Sequence, residues 1–189
     1  MLTICRELTV FFWIAHEIFW AVLSRVNKQT ARKGRTLPRI VALAAILLGF
    51  ALLYAPWFSV GILAAEITPE NTLSGIAGAV LCGSGIFFAW WSRQTLGTNW
   101  SGEVTIKKDH ELVQRGPYSI VRHPIYSGSL LALLGSAAAM SELKGFLAVG
   151  LVFVGLLKKI GEEESVLESH FSEYREYKLR VKKLIPFIY

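Results

Sequence analysis

The sequence predicts an all-α integral membrane bundle of about five transmembrane helices, with a cytoplasmic C-terminal amphipathic helix. Three observations predict it. Of 189 residues, 53% are hydrophobic and only 18% are charged. The mean hydropathy is positive, at +0.44. Long runs without Asp, Glu, Lys or Arg recur along the chain, several of them near the ~20 residues that cross a ~30 Å hydrocarbon layer. Inside that layer the backbone must satisfy its own hydrogen bonds, which a helix does within one segment. Nothing in the sequence repeats, and no low-complexity tract or Gly/Ser linker divides it, so one membrane domain is expected.

The first run, Leu8 to Ser24, is broken by His16 and Glu17. Polar residues at that depth raise a functional suspicion, with contacts between helices as the plainer reading. Arg6 and Glu7 precede the run and no A-x-A-like site follows it, so the segment is expected to be retained as a helix. The second run, Ile40 to Ala65, is the clearest span, and Pro56 predicts a kink or an early helix end near Tyr54 to Trp57. In the third, Asn71 to Ser92, Gly75, Ala79 and Gly83 recur every four positions, which permits close helix packing. Pro124 to Ser141 and the short Gly145 to Leu157 are separated by Glu142, Leu143 and Lys144, and predict a tight hairpin whose second member tilts or stops short of crossing. Beyond Lys158, Leu167, Phe171, Tyr174, Tyr177, Val181 and Leu184 recur at helical spacing and predict an amphipathic tail helix. Trp90, Trp91 and Trp100 are expected in an interfacial belt, and His170 in tail packing.

Basic residues give the orientation, because they gather in cytoplasmic loops. Three regions, 25–39, 93–123 and 158–189, hold 18 of the 20 Lys and Arg, so the N-terminus is expected outside and the C-terminus in the cytoplasm. That distribution accounts for the net charge of +6 without any nucleic acid partner. Cys5 and Cys82 lie in apolar runs, lack the spacing of a metal site or a disulfide framework, and read as packing residues.

Chemistry concentrates in the stretch His110 to Gly128, HELVQRGPYSIVRHPIYSG. Gly116 and Pro117 set a turn, and Pro124 suits the first turn of a helix, which leaves His123 at the helix N-terminus. Such an end favours an anionic ligand group, and Arg122 adds a full charge. Tyr118 and Tyr126 offer aromatic faces with hydroxyls, so the set suits a ligand with a ring, a diol and a carboxylate. The plainer readings are a helix cap for His123, a solvated face for Glu162 to Glu164, an ordinary i,i+4 pair for Lys159 and Glu163, and loop bias or lipid phosphate contacts for Arg115 and Arg122.

The GPY-x-x-VRHP-x-Y-x-G run, followed by Glu163-Glu164-x-x-Leu167 and the Phe171 to Tyr177 aromatic spacing, resembles the isoprenylcysteine carboxyl methyltransferase family. The resemblance covers residues 93–187, including Arg93, Gly97, His110-x-Leu112-Val113 and Leu184-Ile185-Pro186; residues 1–70 are similar only in being hydrophobic helices. The wider superfamily includes phospholipid N-methyltransferases and, more distantly, membrane sterol reductases. The resemblance implies three N-terminal helices in residues 1–92 and a catalytic half in residues 93–189 that holds S-adenosylmethionine under the tail helix. His110, Leu112, Val113, Tyr118, His123, Pro124, Ile125 and Tyr126 would form the cofactor pocket, with Glu103, Glu163 and Glu164. Lys159, Glu163 and Arg122 are the candidate catalytic residues. Eukaryotic family members carry Arg at the position of Lys159, near the acceptor, and Lys does not reproduce a bidentate hold on a carboxylate.

The residues also bear on the reaction directly. No G-x-G-x-x-G follows a plausible strand, so an adenosyl group must be held otherwise than in soluble dinucleotide folds. Methyl transfer from a sulfonium needs alignment and exclusion of water. A carboxylate acceptor is already ionised, whereas an amine would need a base, for which His123, Glu163 or Glu164 would have to serve. The leading expectation is therefore carboxyl O-methylation of a prenylated cysteine or similar lipophilic carboxylate. The alternatives are lipid amine N-methylation, an NADPH-dependent membrane reductase, and a non-enzymatic membrane scaffold.

Overall fold

The computed structural model describes residues 1–24, 30–33, 36–100, 105–107 and 111–189. Six helices follow in order: α1 (Leu2–Leu23), α2 (Thr36–Tyr54), α3 (Thr72–Leu96), α4 (Pro124–Met140), α5 (Leu143–His170) and α6 (Tyr174–Arg180). Two short strands, β1 (Thr30–Lys33) and β2 (Thr105–Lys107), pair antiparallel and add a small ribbon to the all-α expectation. Glu103 and His110 lie outside the described residues, as do Arg25, Lys28 and Arg35 of the first basic loop.

Two of the described helices, Thr36–Tyr54 and Thr72–Asn99 with its closing turn, are long and apolar enough to cross a membrane. Ile40, Leu48, Leu73, Val80 and Phe87 point outward from them, as residues that face lipid do. The chain is a helical membrane protein. The apolar run from Ile40 gives a helix only as far as Tyr54, because Pro56 cannot continue the ladder and instead opens the 3-10 turn Pro56–Phe58. Asn71 starts α3 by accepting a hydrogen bond from the Ser74 N–H at 3.0 Å. Gly97, at φ 58°, closes it in a backbone region that costs glycine little.

Small residues set the helix contacts. The Gly75 to Gly83 stripe faces α1: a Cβ on Gly75 would meet Leu2 and Cys5, and one on Gly83 would meet Phe12. A second stripe on α3 lies against α4, where Gly78 is so close that a Cβ would come within 2.6 Å of the Gly135 carbonyl. α2 packs on α5 through Ala45 and Gly155.

The antiparallel run of helices divides the polar residues between two ends of the bundle. At the end of the α4–α5 turn, the hairpin end, Arg6 pairs with Glu70 at 2.7 Å and donates to the Ala139 and Met140 carbonyls. Lys144, buried there, donates to Ser59 Oγ at 2.6 Å and pairs with Glu142 at 3.2 Å. The backbone of Leu143 donates to Ala65 and that of Ile67 to Ser141, which ties the turn to the α2–α3 connection.

Two expectations are corrected. The second hairpin member is not short: α5 has 28 residues and carries Lys158 to Glu164 as a continuation of its apolar part. It therefore reaches about 42 Å at ~1.5 Å per residue. The tail is not one amphipathic helix either. Leu167 ends on α5, Phe171 caps it in extended backbone, and only Tyr174 and Tyr177 sit on α6. Beyond Arg180 the backbone finds other partners: Arg122 N–H donates to the Lys182 carbonyl at 2.8 Å and His123 N–H to that of Lys183 at 3.1 Å. Trp90 stacks on Phe19 of α1, and Trp100 lines an internal cavity.

Candidate cofactor and acceptor site

The site is built where the start of α4, the far part of α5 and the tail meet. Gly116, at φ 60°, begins the 3-10 turn Gly116–Ser119, which buries Pro117 and Tyr118. Val121 then pairs in parallel with Lys182, and Pro124 opens α4. Since the N–H groups of Arg122 and His123 donate to tail carbonyls, these two do not stand open to an anion as the sequence suggested. Ser127 Oγ adds a third tie to the tail, donating to the Leu184 carbonyl at 2.6 Å.

His123 is buried between two carboxylates. Its Nε2 lies 3.2 Å from Glu164 Oε1 and its Nδ1 lies 3.6 Å from Glu163 Oε2. Its ring stacks on Tyr126, with centroids 5.8 Å apart. Tyr126 donates its hydroxyl to Glu163 at 2.6 Å and accepts from Lys159 Nζ at 2.6 Å, and Lys159 pairs with Glu163 at 3.1 Å. The i,i+4 spacing on α5 thus becomes one side of a triangle closed by α4. Arg122 grips Glu164 through Nε at 2.9 Å and a terminal nitrogen at 2.8 Å, while its other arm donates to the carbonyls of Lys178 and Val181.

Glu164 shows what this arrangement does to charge. Burial works to raise its pKa, but hydrogen bonds and charge from His123 and Arg122 outweigh burial and hold it down to about 2. Tyr118 and Tyr174 are pushed the other way, well above the ordinary phenol range, by burial first and by neighbouring charge second. Tyr177 shifts up for the same leading reason, and its hydroxyl donates to the Tyr118 carbonyl at 2.6 Å.

These residues border a cavity of about 740 Å³, within the ~300–1,000 Å³ usual for small-molecule sites. Leu112, Val113, Tyr118, Arg122, His123, Pro124, Ile125, Tyr126, Lys159 and Glu163 all line it. Glu164 sits behind that wall, 6% exposed, where it joins Arg122, His123 and, at 3.8 Å, Lys183. The cavity extends between α1 and α2 into an apolar limb walled by Trp13, Trp20, Leu43, Ile46 and Phe50. At the hairpin end Thr9 and Tyr54 hydroxyls meet at 3.2 Å and Trp13 contacts Phe50 edge to face at 4.8 Å, so α1 and α2 converge there. Motif reading missed Trp13, Trp20, Asn99 and Trp100 on this cavity. The intramembrane pair His16 and Glu17 was the one signal that pointed toward that wall.

Residues 73–174 match the phospholipid methyltransferase family. The chain belongs to that family. Among curated relatives, this phospholipid methyltransferase family member is 34% identical over 97 residues to the cobalt-zinc-cadmium resistance protein CzcN of Cupriavidus metallidurans, covering 50% of this chain and 45% of the relative. It is 32% identical over 98 residues to protein-S-isoprenylcysteine O-methyltransferase B of Arabidopsis thaliana, covering 50% of each. With the protein-S-isoprenylcysteine O-methyltransferase of Saccharomyces cerevisiae it shares 33% identity over 120 residues, 61% of this chain and 50% of the relative. The chain spans about half the length of the curated relatives it matches. The matched segment runs from α3 to the start of α6 and includes the His123, Tyr126 and Glu163 wall, while α1 and α2 fall outside it.

Proposed function

We propose that this protein is an S-adenosylmethionine-dependent methyltransferase of the membrane, and that it O-methylates the carboxylate of a prenylated cysteine or a similar lipophilic acceptor. One observation carries the reading: a single cavity joins a polar end, built from His123, Tyr126 and Glu163, to an apolar limb between α1 and α2. A water-soluble donor and a lipid-soluble acceptor need such a pair of compartments opening on each other.

The residues present fit the donor. Glu163 is an acceptor suited to a diol or an ammonium group, and Tyr118, Tyr126 and His123 give flat faces for a ring. Tyr174 lines the cavity, and its buried hydroxyl has no partner among the described residues. When bound, S-adenosylmethionine supplies a methyl group on a sulfonium, open to in-line displacement. The protein's share is alignment and exclusion of water. Glu163, held by Lys159 and Tyr126, orients the donor; Arg122 acts as a positioning residue through Glu164; and Lys159 places a positive charge beside the acceptor.

The state of the ionisable groups supports a carboxylate acceptor. Both ring nitrogens of His123 face carboxylates and Glu164 lies behind the wall, which leaves only Glu163 of the three candidate bases, and it is engaged by Lys159 and Tyr126. A carboxylate is ionised near neutral pH and needs none. We place α1 to α5 across the membrane, with the N-terminus outside and the site, α6 and the C-terminus on the cytoplasmic side, following the distribution of Lys and Arg.

Calorimetry on detergent-purified protein tests the donor, with S-adenosylmethionine, S-adenosylhomocysteine and a reduced nicotinamide cofactor as control. Binding of the adenosyl ligands alone is expected; nicotinamide binding instead would replace the reading with a reductase, and no binding at all with a scaffold. Radiolabelled methyl transfer to a prenylated cysteine should then give a base-labile product. A base-stable product on a lipid amine would replace the carboxylate with N-methylation.

A further inference from the structure

Two buried side chains in the wall of the apolar limb each hold a polar atom that is sealed from water and that nothing among the described residues answers. His16 of α1 is 7% exposed, lines the cavity, and its Nδ1 has no hydrogen-bond partner among the described residues. Asn99, in the turn that follows α3, is 9% exposed, lines the same cavity, and leaves Oδ1 equally unpaired. An aromatic chain connects them. The His16 ring stacks on Trp20 with centroids 4.4 Å apart, Trp20 meets Trp100 edge to face at 6.0 Å, and Trp100 follows Asn99 in the chain. Glu17 lines this wall too and has no partner among the described residues. Buried polar groups in native proteins are nearly always paired, and the exceptions mark places where something else binds.

The chemistry of the pair defines its ligand. Asn99 Oδ1 accepts and asks for a donor, while a neutral imidazole donates from one nitrogen and accepts at the other. Around them Leu43, Ile46 and Phe50 of α2 offer only apolar surface. The ligand therefore combines a hydrocarbon chain with a head that carries an N–H. His16 stands on α1, outside the matched segment, and faces the cavity away from the α4 and α5 residues that fit the donor.

We propose that His16 and Asn99 line the acceptor's head-group subsite, where one or other of their unpaired atoms takes an amide or amine N–H beside the methyl-accepting atom while the acceptor's tail lies against α2. This rests on the methyltransferase reading and names what its acceptor must carry. The N–H comes either from the amide of a prenylated cysteine or from the amine of a lipid head group, and the two sources separate in the assay.

The test measures acceptor binding by calorimetry on the full chain in detergent, with and without S-adenosylhomocysteine. The probes are an N-acetylated prenylcysteine, the same thioether acid with CH2 in place of N–H, and phosphatidylethanolamine in mixed micelles. His16→Phe keeps the stacking on Trp20 and removes the nitrogens, Asn99→Leu removes the carbonyl, and His16→Gln restores a hydrogen-bonding group. The wild type should prefer an N–H-bearing probe over the CH2 analogue by about tenfold, the scale of one well-made buried hydrogen bond. His16→Phe and Asn99→Leu should remove that preference and leave S-adenosylhomocysteine binding unchanged, and His16→Gln should recover part of it. A preference for the prenylcysteine assigns the amide source, and one for the lipid the amine. Variants that keep the wild-type preference overturn the subsite, as does a wild type that binds neither N–H probe. Variants that lose S-adenosylhomocysteine overturn it as well, because the pair would then belong to the donor. A wild type that discriminates among acceptors yet binds no adenosyl ligand upholds the subsite and removes the methyltransferase reading instead.

Discussion

The two ends of the bundle use similar ionic parts for opposite purposes. At the hairpin end, Arg6 and Lys144 meet Glu70 and Glu142 together with backbone carbonyls, and the result ties helices and connections to one another. At the site end, Arg122, His123 and Lys159 meet Glu163 and Glu164, yet Arg122, His123, Lys159 and Glu163 also line the cavity. The difference lies in layering. Glu164 and the tail form a rear layer that fixes the first, which leaves Glu163 and Tyr126 held in place but facing space. Ion pairs alone do not mark a site; ion pairs backed by a second row and fronted by a cavity do.

Substitutions at the two ends should therefore separate binding from stability. The largest effect is expected from His123→Ala or Glu163→Ala, which should weaken S-adenosylmethionine by about a hundredfold or more, since each removes charge-assisted contacts. Helical content by circular dichroism should remain, and retained tight binding would sink the site assignment. Arg122→Ala leaves the buried Glu164 without its main partner and should cost about 3–5 kcal/mol in stability, read as a lowered melting temperature in detergent. A melting temperature within a degree of wild type would show that the rear layer is not structural.

Lys144→Met probes the other end. It should cost about 1–3 kcal/mol by removing the ammonium from the part-buried Ser59–Glu142 hydrogen bond and from the Ala55 carbonyl, while adenosyl affinity stays within twofold; a matching loss of affinity would mean the ends are coupled. The smallest effect concerns pH. Because the Glu164 carboxyl is held to about 2 against an ordinary 4.5, its pairing stabilises the fold above pH 4.5 and this contribution drains away as pH falls toward 2. Glu164→Gln should flatten that part of the stability profile, and an unchanged acid limb would refute the pairing.

Much of this was legible in the sequence, for physical reasons that differ by element. Pro56 and Pro124 fix helix boundaries locally, so the end of α2 and the start of α4 could be read directly. The GPY-to-HP motif and Glu163 could be read as one cluster because the motif is local, and the structure brings them to one cavity wall. The length of α5 could not be read from hydropathy, because Lys158 to Glu164 ends the apolar run, and its charges find partners only in Arg122, His123 and Tyr126 around the start of α4. The tail misled the helical count for a related reason: Val181 to Leu184 keeps a helical spacing of apolar residues, but its backbone pairs with residues distant in the chain. His16 was flagged by its depth, and only the fold showed that it lines the cavity.

The strap between residues 121–123 and 182–184 also carries a consequence for biogenesis. On the ribosome, the motif that bears His123 emerges well before the carbonyls that receive its backbone. A nascent chain can form α1 to α4 while this wall is still unfastened. The wall is therefore complete only once residues 182–184 have been made, so a chain made as far as α4 has no finished wall with which to compete for a ligand.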